Sequence, residues 1–260
     1  MQTCDSIVIG ARLRIMTGTR QHFPVSSRTP GSLNLMPKSP PTVFEDGPSQ
    51  PMLRPGEVHL WRVCLSSAPA GIGDSLAPEE RARANRFHFE KDRARFVAGR
   101  GLVRSILGRY LGLPPANVRF QTGPHGKPSL EDSHIPLCFN LSHSGEVLLV
   151  AVAHGREIGV DVELMRDDVP FEMLAERYFE PADACSLRTL STSDKAWRFY
   201  DIWTSTEARL KASGLGLSQG TKVSEPHRWS LRTLTPADGY AAALAVEGED
   251  FELECWSWPN

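Results

Sequence analysis

Residues 139–166 read FNLSHSGEVLLVAVAHGREIGVDVELMR, and no other stretch constrains the fold as tightly. Its Val, Leu and Ala content is that of buried strands, interrupted at Gly145 and Gly155. Yet one end carries Asn140, Ser142 and His143, and the last strand carries Asp161 and Glu163 at alternate positions. Successive side chains on a strand point to opposite faces, so Asp161 and Glu163 share one face while Val160 and Val162 take the other. Desolvating an unpaired ionised carboxylate is expensive. A fold that accepts this segment must therefore bring compensating charge or hydrogen bonds to that face. Ser142 and His143, as neighbours, point oppositely, which demotes a serine nucleophile activated by the adjacent histidine.

The surrounding chain alternates between two kinds of pattern. EVHLWRVCL reads as a strand, and SLAPEERARANRF opens a helix, with Ser75 or Pro78 near its start and Glu79 and Glu80 in the first turn. EKDRARFVAGRGLVRSILGRYLG places Phe96, Val97, Leu102, Val103, Ile106, Leu107, Tyr110 and Leu111 at helical spacings, with Gly112 as the stop. VRFQTGPHGKPSL reads as strand and turn. PLCFNLSHSG, VLLVAVAHG and EIGVDVEL read as an antiparallel series joined by tight glycine turns. FEMLAERYF and DKAWRFYDIWTSTEARLKASG return to helix, the latter stopped at Gly214, and RWSLRTLTP, YAAALAVEG and FELECWSW are strands. Strand, helices, strands, helices, strands predicts an α+β fold of two similar halves in one chain, related by a pseudo-twofold, with the site in the cleft between them.

The boundaries follow composition. Eight of the 20 prolines fall at or before Pro55, mixed with Ser and Gly, in a segment too poor in apolar surface to offset its ordering entropy. Residues 1–52 are expected to be a disordered or dispensable extension, with 53–155 and 156–260 as the two α+β halves. SIVIGARLRIM near the start could also suggest a transit peptide. A formal net charge of −2 gives no bulk reason to bind nucleic acid or an anionic membrane, so any phosphate recognition must be local. Five scattered cysteines without a C-x-x-C pair fit a reducing cytoplasm and argue against structural zinc. No run approaches the roughly 18 apolar residues of a membrane span.

A third acid, Glu207, lies on the WTSTEARLKASG helix, with Lys211 one turn further on the same face. Three carboxylates in a water-accessible cleft repel one another unless a divalent cation lies between them, and an all-oxygen set suits Mg²⁺ beside substrate phosphates. Taken singly, D-x-E also reads as a solvated strand edge, and Glu207 with Lys211 as a surface i,i+4 pair worth about 0.2–0.5 kcal/mol.

At this point the sequence resembles the 4′-phosphopantetheinyl transferases in their longer single-chain, surfactin-synthetase-activating form. The resemblance rests on APEERARANRFHFEKDRARFVAGRGLVR, GKPSL, FNLSHSG, IGVDVE and WTSTEARLKASGLGLS, in the family's order over about residues 57–220. It implies two fused copies of an α+β half. It also implies Mg²⁺-dependent transfer of the phosphopantetheine arm of coenzyme A to a serine of an apo acyl or peptidyl carrier protein, releasing adenosine 3′,5′-bisphosphate. Asp161, Glu163 and Glu207 are then implied as metal ligands. Lys127, Pro128, Ser142 and His143 are implied to line the nucleotide and its phosphates, with Arg100, Arg83 and Arg95 adding positive charge. Glu207 becomes the candidate base and Lys211 the cation near the leaving phosphate. Cations and backbone donors are what a phosphate site requires. Arg83 and Arg95 also read as solvated helix faces, and Lys127 as a loop lysine.

One position departs from the pattern. Many relatives carry lysine directly before the helix glutamate, where this chain has Thr206. Arg209 is no simple replacement, being roughly 200° around the helix from Glu207, and Lys222 or another cation could compensate. Two rivals remain: a coenzyme A-binding protein without catalysis, and a Mg²⁺-dependent phosphohydrolase, which leaves GKP and LSHSG unexplained. A cytoplasmic monomer is expected, because two halves in one chain would complete the cleft.

Overall fold

The computed structural model of the chain describes residues 40–123, 125–131, 133–214 and 228–259. A two-residue strand β1 (Glu45–Asp46) precedes β2 (Glu57–Cys64), and α1 (Pro78–Ala84) and α2 (Glu90–Leu111) follow. A short hairpin of β3 (Phe120–Thr122) and β4 (Pro128–Leu130) leads to β5 (Leu137–Ser144), β6 (Val147–His154) and β7 (Ile158–Leu164). Three helices, α3 (Phe171–Tyr178), α4 (Pro181–Arg188) and α5 (Thr192–Ser213), lead to β8 (Trp229–Leu234), β9 (Tyr240–Glu247) and β10 (Glu252–Ser257).

The helix boundaries follow local chemistry. Pro78 occupies the first turn of α1, and the Glu80 carboxylate reaches back to accept the Ala77 N–H at 3.0 Å. Both 22-residue helices end on a left-handed glycine, α2 at Gly112 (φ 64°) and α5 at Gly214 (φ 70°), where a side chain would be strained. The α4 helix was not separately anticipated from sequence.

Two sheets form the centre. The first has the order β1-β10-β2-β6-β5, with β10 parallel to both its neighbours, and the second has the order β7-β9-β8, all antiparallel. Trp61, Val63, Phe139, Leu141 and Val150 on one face of the first sheet pack with Leu102, Val103, Ile106 and Leu107 of α2. Its other face sets Val58, Leu60, Leu149 and Ala151 against Val160, Val162, Leu244 and Val246 of the second sheet. The outer face of the second sheet carries Ala243 and Ala245 under Ala208 and Ala212 of α5. The layers thus run α2, first sheet, second sheet, α5.

The expected antiparallel series from β5 to β7 breaks after β6. Strand β7 pairs with β9 instead of β6, so the Gly155 turn changes sheets as well as direction. The last strand, β10, leaves the second sheet to enter the first beside β2.

Residues 1–39 of the segment read as an upstream addition lie outside the described residues. Of the remainder, Thr42 donates its N–H to the Thr235 carbonyl at 3.0 Å, Gly47 donates to Ser257 O at 3.0 Å, and Arg109 Nη1 donates to Pro48 O at 2.9 Å. Gly47 lies so close to the Trp61 ring that a Cβ would come within 2.1 Å of it. No helix among the described residues is long and apolar enough to cross a membrane.

A polar knot lies in the α2 layer. Trp61 Nε1–H donates to Tyr110 Oη at 2.8 Å, which leaves the phenol hydrogen for His59 Nδ1 at 2.9 Å. Burial lowers the His59 pKa from 6.5 to about 4 against the opposing pull of Glu57. In the folded state His59 therefore binds fewer protons than in the unfolded chain, so its contribution to stability is complete above pH 6.5 and is lost as pH falls toward 4. Urea denaturation at pH 7 and pH 4.5 should show this slope in the wild type and a shallower one in His59→Asn, which keeps an acceptor for Tyr110 but does not titrate. Equal slopes would remove His59 from the acid response.

Candidate active site

The polar residues of β5 explain how β7 tolerates its acids. Asn140, Ser142 and Ser144 lie at alternate positions on the same face of β5, opposite the face that Phe139 and Leu141 turn to α2. Asn140 Oδ1 accepts the buried Val160 N–H at 3.0 Å. Ser142 Oγ donates to Asp161 Oδ1 and Ser144 Oγ donates to Glu163 Oε2, both at 2.9 Å, while Ser144 Oγ accepts the Leu164 N–H at 3.1 Å. Two strands at the margins of different sheets are thus joined by side chains where a sheet would use backbone. The hydroxyls at i and i+2 meet the carboxylates at i and i+2 in register.

Helix α5 brings the remaining charges. Gly159 of β7 permits its approach, because a Cβ there would lie 2.1 Å from the Ala208 carbonyl oxygen and 2.4 Å from the Ala212 nitrogen. With the helix this close, Lys211 Nζ donates to Asp161 Oδ1 at 2.7 Å, to Ser142 Oγ at 2.8 Å and to the Val160 carbonyl at 3.1 Å. Glu207, one turn earlier, is 2% exposed. The acids are buried rather than set in an open, watery cleft: Asp161 is 0% and Glu163 3% exposed. Burial raises the Asp161 pKa, opposed by Lys211 and Ser142. Burial pushes Glu163 up to about 8, and the charges of Asp161 and Glu207 push the same way while the Ser144 hydrogen bond opposes them.

Each hydroxyl engages one oxygen of its acid. Asp161 Oδ2 and Glu163 Oε1 are buried with no hydrogen-bond partner, a condition that protein interiors rarely sustain. Two such oxygens on neighbouring acids fit a hard cation, and Mg²⁺ is usually held by one or two carboxylates with water and substrate phosphate completing the shell. Among the described residues no three His, Cys, Asp or Glu side chains already converge as a metal cage.

The expected phosphate-binding residues divide into separate groups. Arg95 of α2 is ion-paired with Glu146 in the turn after Ser144, and its Nε stands 3.2 Å from the same carboxylate oxygen. Lys127, directly before Pro128 at the start of β4, is ion-paired with Glu157 and donates to the Ala212 carbonyl at 2.8 Å near the end of α5. The guanidiniums of Arg83 and Arg100 lie 5.3 and 6.0 Å from the centroid of the Phe96 ring, and Arg100 Nε is 3.7 Å from Glu80. His143 is half-buried on the other face of β5 from Ser142. Ser142, Asp161, Glu163, Glu207 and Lys211 therefore form one buried cluster. Ser144 was missed as its member, although it repeats the two-residue spacing of the acids. Lys222 and the Gly-rich stretch after Gly214 lie outside the described residues.

Comparison with known proteins gives a consistent result. A family model described as "4'-phosphopantetheinyl transferase, N-terminal" matches residues 65–155, and one described as "4'-phosphopantetheinyl transferase superfamily" matches residues 157–255. The chain is similar to 4'-phosphopantetheinyl transferase HetI of Nostoc sp., with 41% identity over 219 residues, covering 78% of this chain and 92% of that protein. It is 38% identical over 164 residues to putative 4'-phosphopantetheinyl transferase slr0495 of Synechocystis sp., covering 62% of this chain and 66% of that one. It is 33% identical over 147 residues to 4'-phosphopantetheinyl transferase Sfp of Bacillus subtilis, covering 55% of this chain and 62% of that one.

Proposed function

The chain belongs to the 4′-phosphopantetheinyl transferase family, and from that premise we propose that it transfers the phosphopantetheine arm of coenzyme A to a serine of an apo acyl or peptidyl carrier protein, with Mg²⁺. The observation that carries this reading is the pair of buried, unpartnered carboxylate oxygens, Asp161 Oδ2 and Glu163 Oε1, beside Glu207 and Lys211.

In the proposed reaction the carrier serine oxygen bonds to the phosphorus bearing the pantetheine arm. The bond from that phosphorus to the bridging oxygen breaks, and its electron pair leaves with adenosine 3′,5′-bisphosphate. Asp161, Glu163 and Glu207 are the proposed holders of the ion, which when bound neutralises charge on the diphosphate. Glu207 is the proposed acceptor of the serine proton. Lys211 uses all three of its donors, on Asp161, Ser142 and Val160 O. Its proposed service to the leaving phosphate needs one released, and the Val160 carbonyl, the longest at 3.1 Å, is the expected one. Arg95, Arg100, Arg83, Lys127, Pro128, Ser142 and His143 are the proposed lining for the nucleotide and its phosphates. The two 22-residue helices, each on the outer face of a sheet, support two related halves, for which 53–155 and 156–260 are the proposed bounds with β10 returning to the first sheet. Action as a cytoplasmic monomer is part of the same proposal.

Intact mass spectrometry of an apo carrier protein incubated with this protein, coenzyme A and Mg²⁺ tests the proposal. A phosphopantetheine-sized gain that disappears with EDTA and with Glu207→Gln supports it. No gain with any of several carrier types, despite coenzyme A binding, would favour a binding protein without catalysis.

A further inference from the structure

Both ends of the seam between β5 and β7 carry a cation already ion-paired within the chain. At the Ser144 end, Arg95 is held by Glu146, and at the Ile158 end Lys127 is held by Glu157. The pairs share an asymmetry of burial. The Arg95 and Lys127 side chains are both 19% exposed, whereas Glu146 and Glu157 are 40% and 48% exposed. Each cation is therefore the fixed, inner partner. Lys127 is anchored further by the Ala212 carbonyl, and the Glu146 backbone by the Tyr240 hydroxyl, which accepts its N–H at 3.2 Å. Each acid occupies a turn, one between β5 and β6 and the other between β6 and β7, where its side chain can swing into water without disturbing a ladder.

We propose that Glu146 and Glu157 are specificity-determining counter-ions that the phosphate groups of the nucleotide substrate displace from Arg95 and Lys127. This rests on the reading of those two cations as phosphate ligands. Each acid then sets a threshold: a ligand must offer a stronger anion than a half-exposed carboxylate before it gains the cation. A polyphosphorylated ligand, dianionic at a terminal phosphate, passes, and monocarboxylates and neutral fragments do not. Half-exposed ion pairs of this kind are worth up to about 1 kcal/mol, so removing one acid is expected to tighten nucleotide binding up to about fivefold.

The experiment measures the Kd of adenosine 3′,5′-bisphosphate and the KM for coenzyme A on the full chain. The variants are Glu146→Gln, Glu157→Gln, Arg95→Gln, Lys127→Gln and the doubles Glu146→Gln/Arg95→Gln and Glu157→Gln/Lys127→Gln. Glu254→Gln, exposed on β10 and three strands from β5, controls for the change in net charge. The expected result is a lower Kd and KM, about two- to fivefold, in each single glutamate variant. That gain should vanish in the doubles and be absent from the control. A turn merely loosened by the substitution would raise KM instead. An unchanged or higher Kd in both glutamate variants overturns the inference while leaving the site reading intact. Unchanged binding in Arg95→Gln and Lys127→Gln overturns the reading of those cations, and the inference with it.

Discussion

Asp161→Asn is expected to yield a folded protein that transfers no measurable phosphopantetheine. The amide keeps an oxygen where Ser142 and Lys211 donate, so the local hydrogen bonds at 2.9 and 2.7 Å retain an acceptor. What it loses is the negative charge and the second oxygen, which lies buried and unpartnered beside Glu163. Outer partners of metal ligands already cost about 10- to 100-fold in affinity or activity when removed, so a direct ligand should cost at least about a hundredfold. Asp161→Ala is the poorer probe, because it strands the Lys211 ammonium in a buried site at a cost of about 3–5 kcal/mol. Comparing the transfer rate with a thermal melt of the same preparation separates the effects. A folded Asn variant with near wild-type turnover would sink the assignment of Asp161.

The second large effect is expected at a residue with no chemistry of its own. Gly159→Ala places a methyl group 2.1 Å from the Ala208 carbonyl and 2.4 Å from the Ala212 nitrogen. Both contacts are backbone of α5, so no side-chain rotation relieves them and the helix must move off β7. Overpacking of cores costs typically 1–3 kcal/mol, and with two rigid contacts the loss here should reach about 3 kcal/mol. Ala243 and Ala245 beneath the same helix are matched to this close approach. Displacing α5 also withdraws Lys211 and Glu207 from the strand acids, so turnover should fall further than the loss of folded protein explains. Urea titration read beside the specific rate decides it: unchanged stability would mean that the helix does not bear on the strand at this point.

Much of this arrangement was legible in the residues. The two long helices are marked by spacing and by Gly112 and Gly214, and the period of two alone places Asp161 and Glu163 on one face. Other features depend on information that local pattern does not carry. Strand registers within a hairpin are local, but the choice of β9 instead of β6 as the partner of β7 is set by which faces must be buried together. The same holds for the depth of the acids, which comes from α5 closing over them. Nothing in the local pattern singles out Ser144, whose bond to Glu163 exists only because β7 stands opposite it. The pairings of Arg95 with Glu146 and Lys127 with Glu157 span 51 and 30 residues, so nothing in either motif announced that its cation was already occupied.

The path of β10 has a consequence for how the molecule is made. It is the last strand of the described fold to be synthesised, yet it lies between β1 and β2, the first two. Strand β2 has β6 as its partner early, but its other flank stays open until β10 arrives, and among the described residues β1 has no other strand to join. Vectorial synthesis thus leaves an apolar strand edge waiting through production of the whole second sheet, and such edges are where nascent chains pair wrongly. The first sheet is finished from the far end of the chain, which makes its completion a checkpoint on the integrity of everything between.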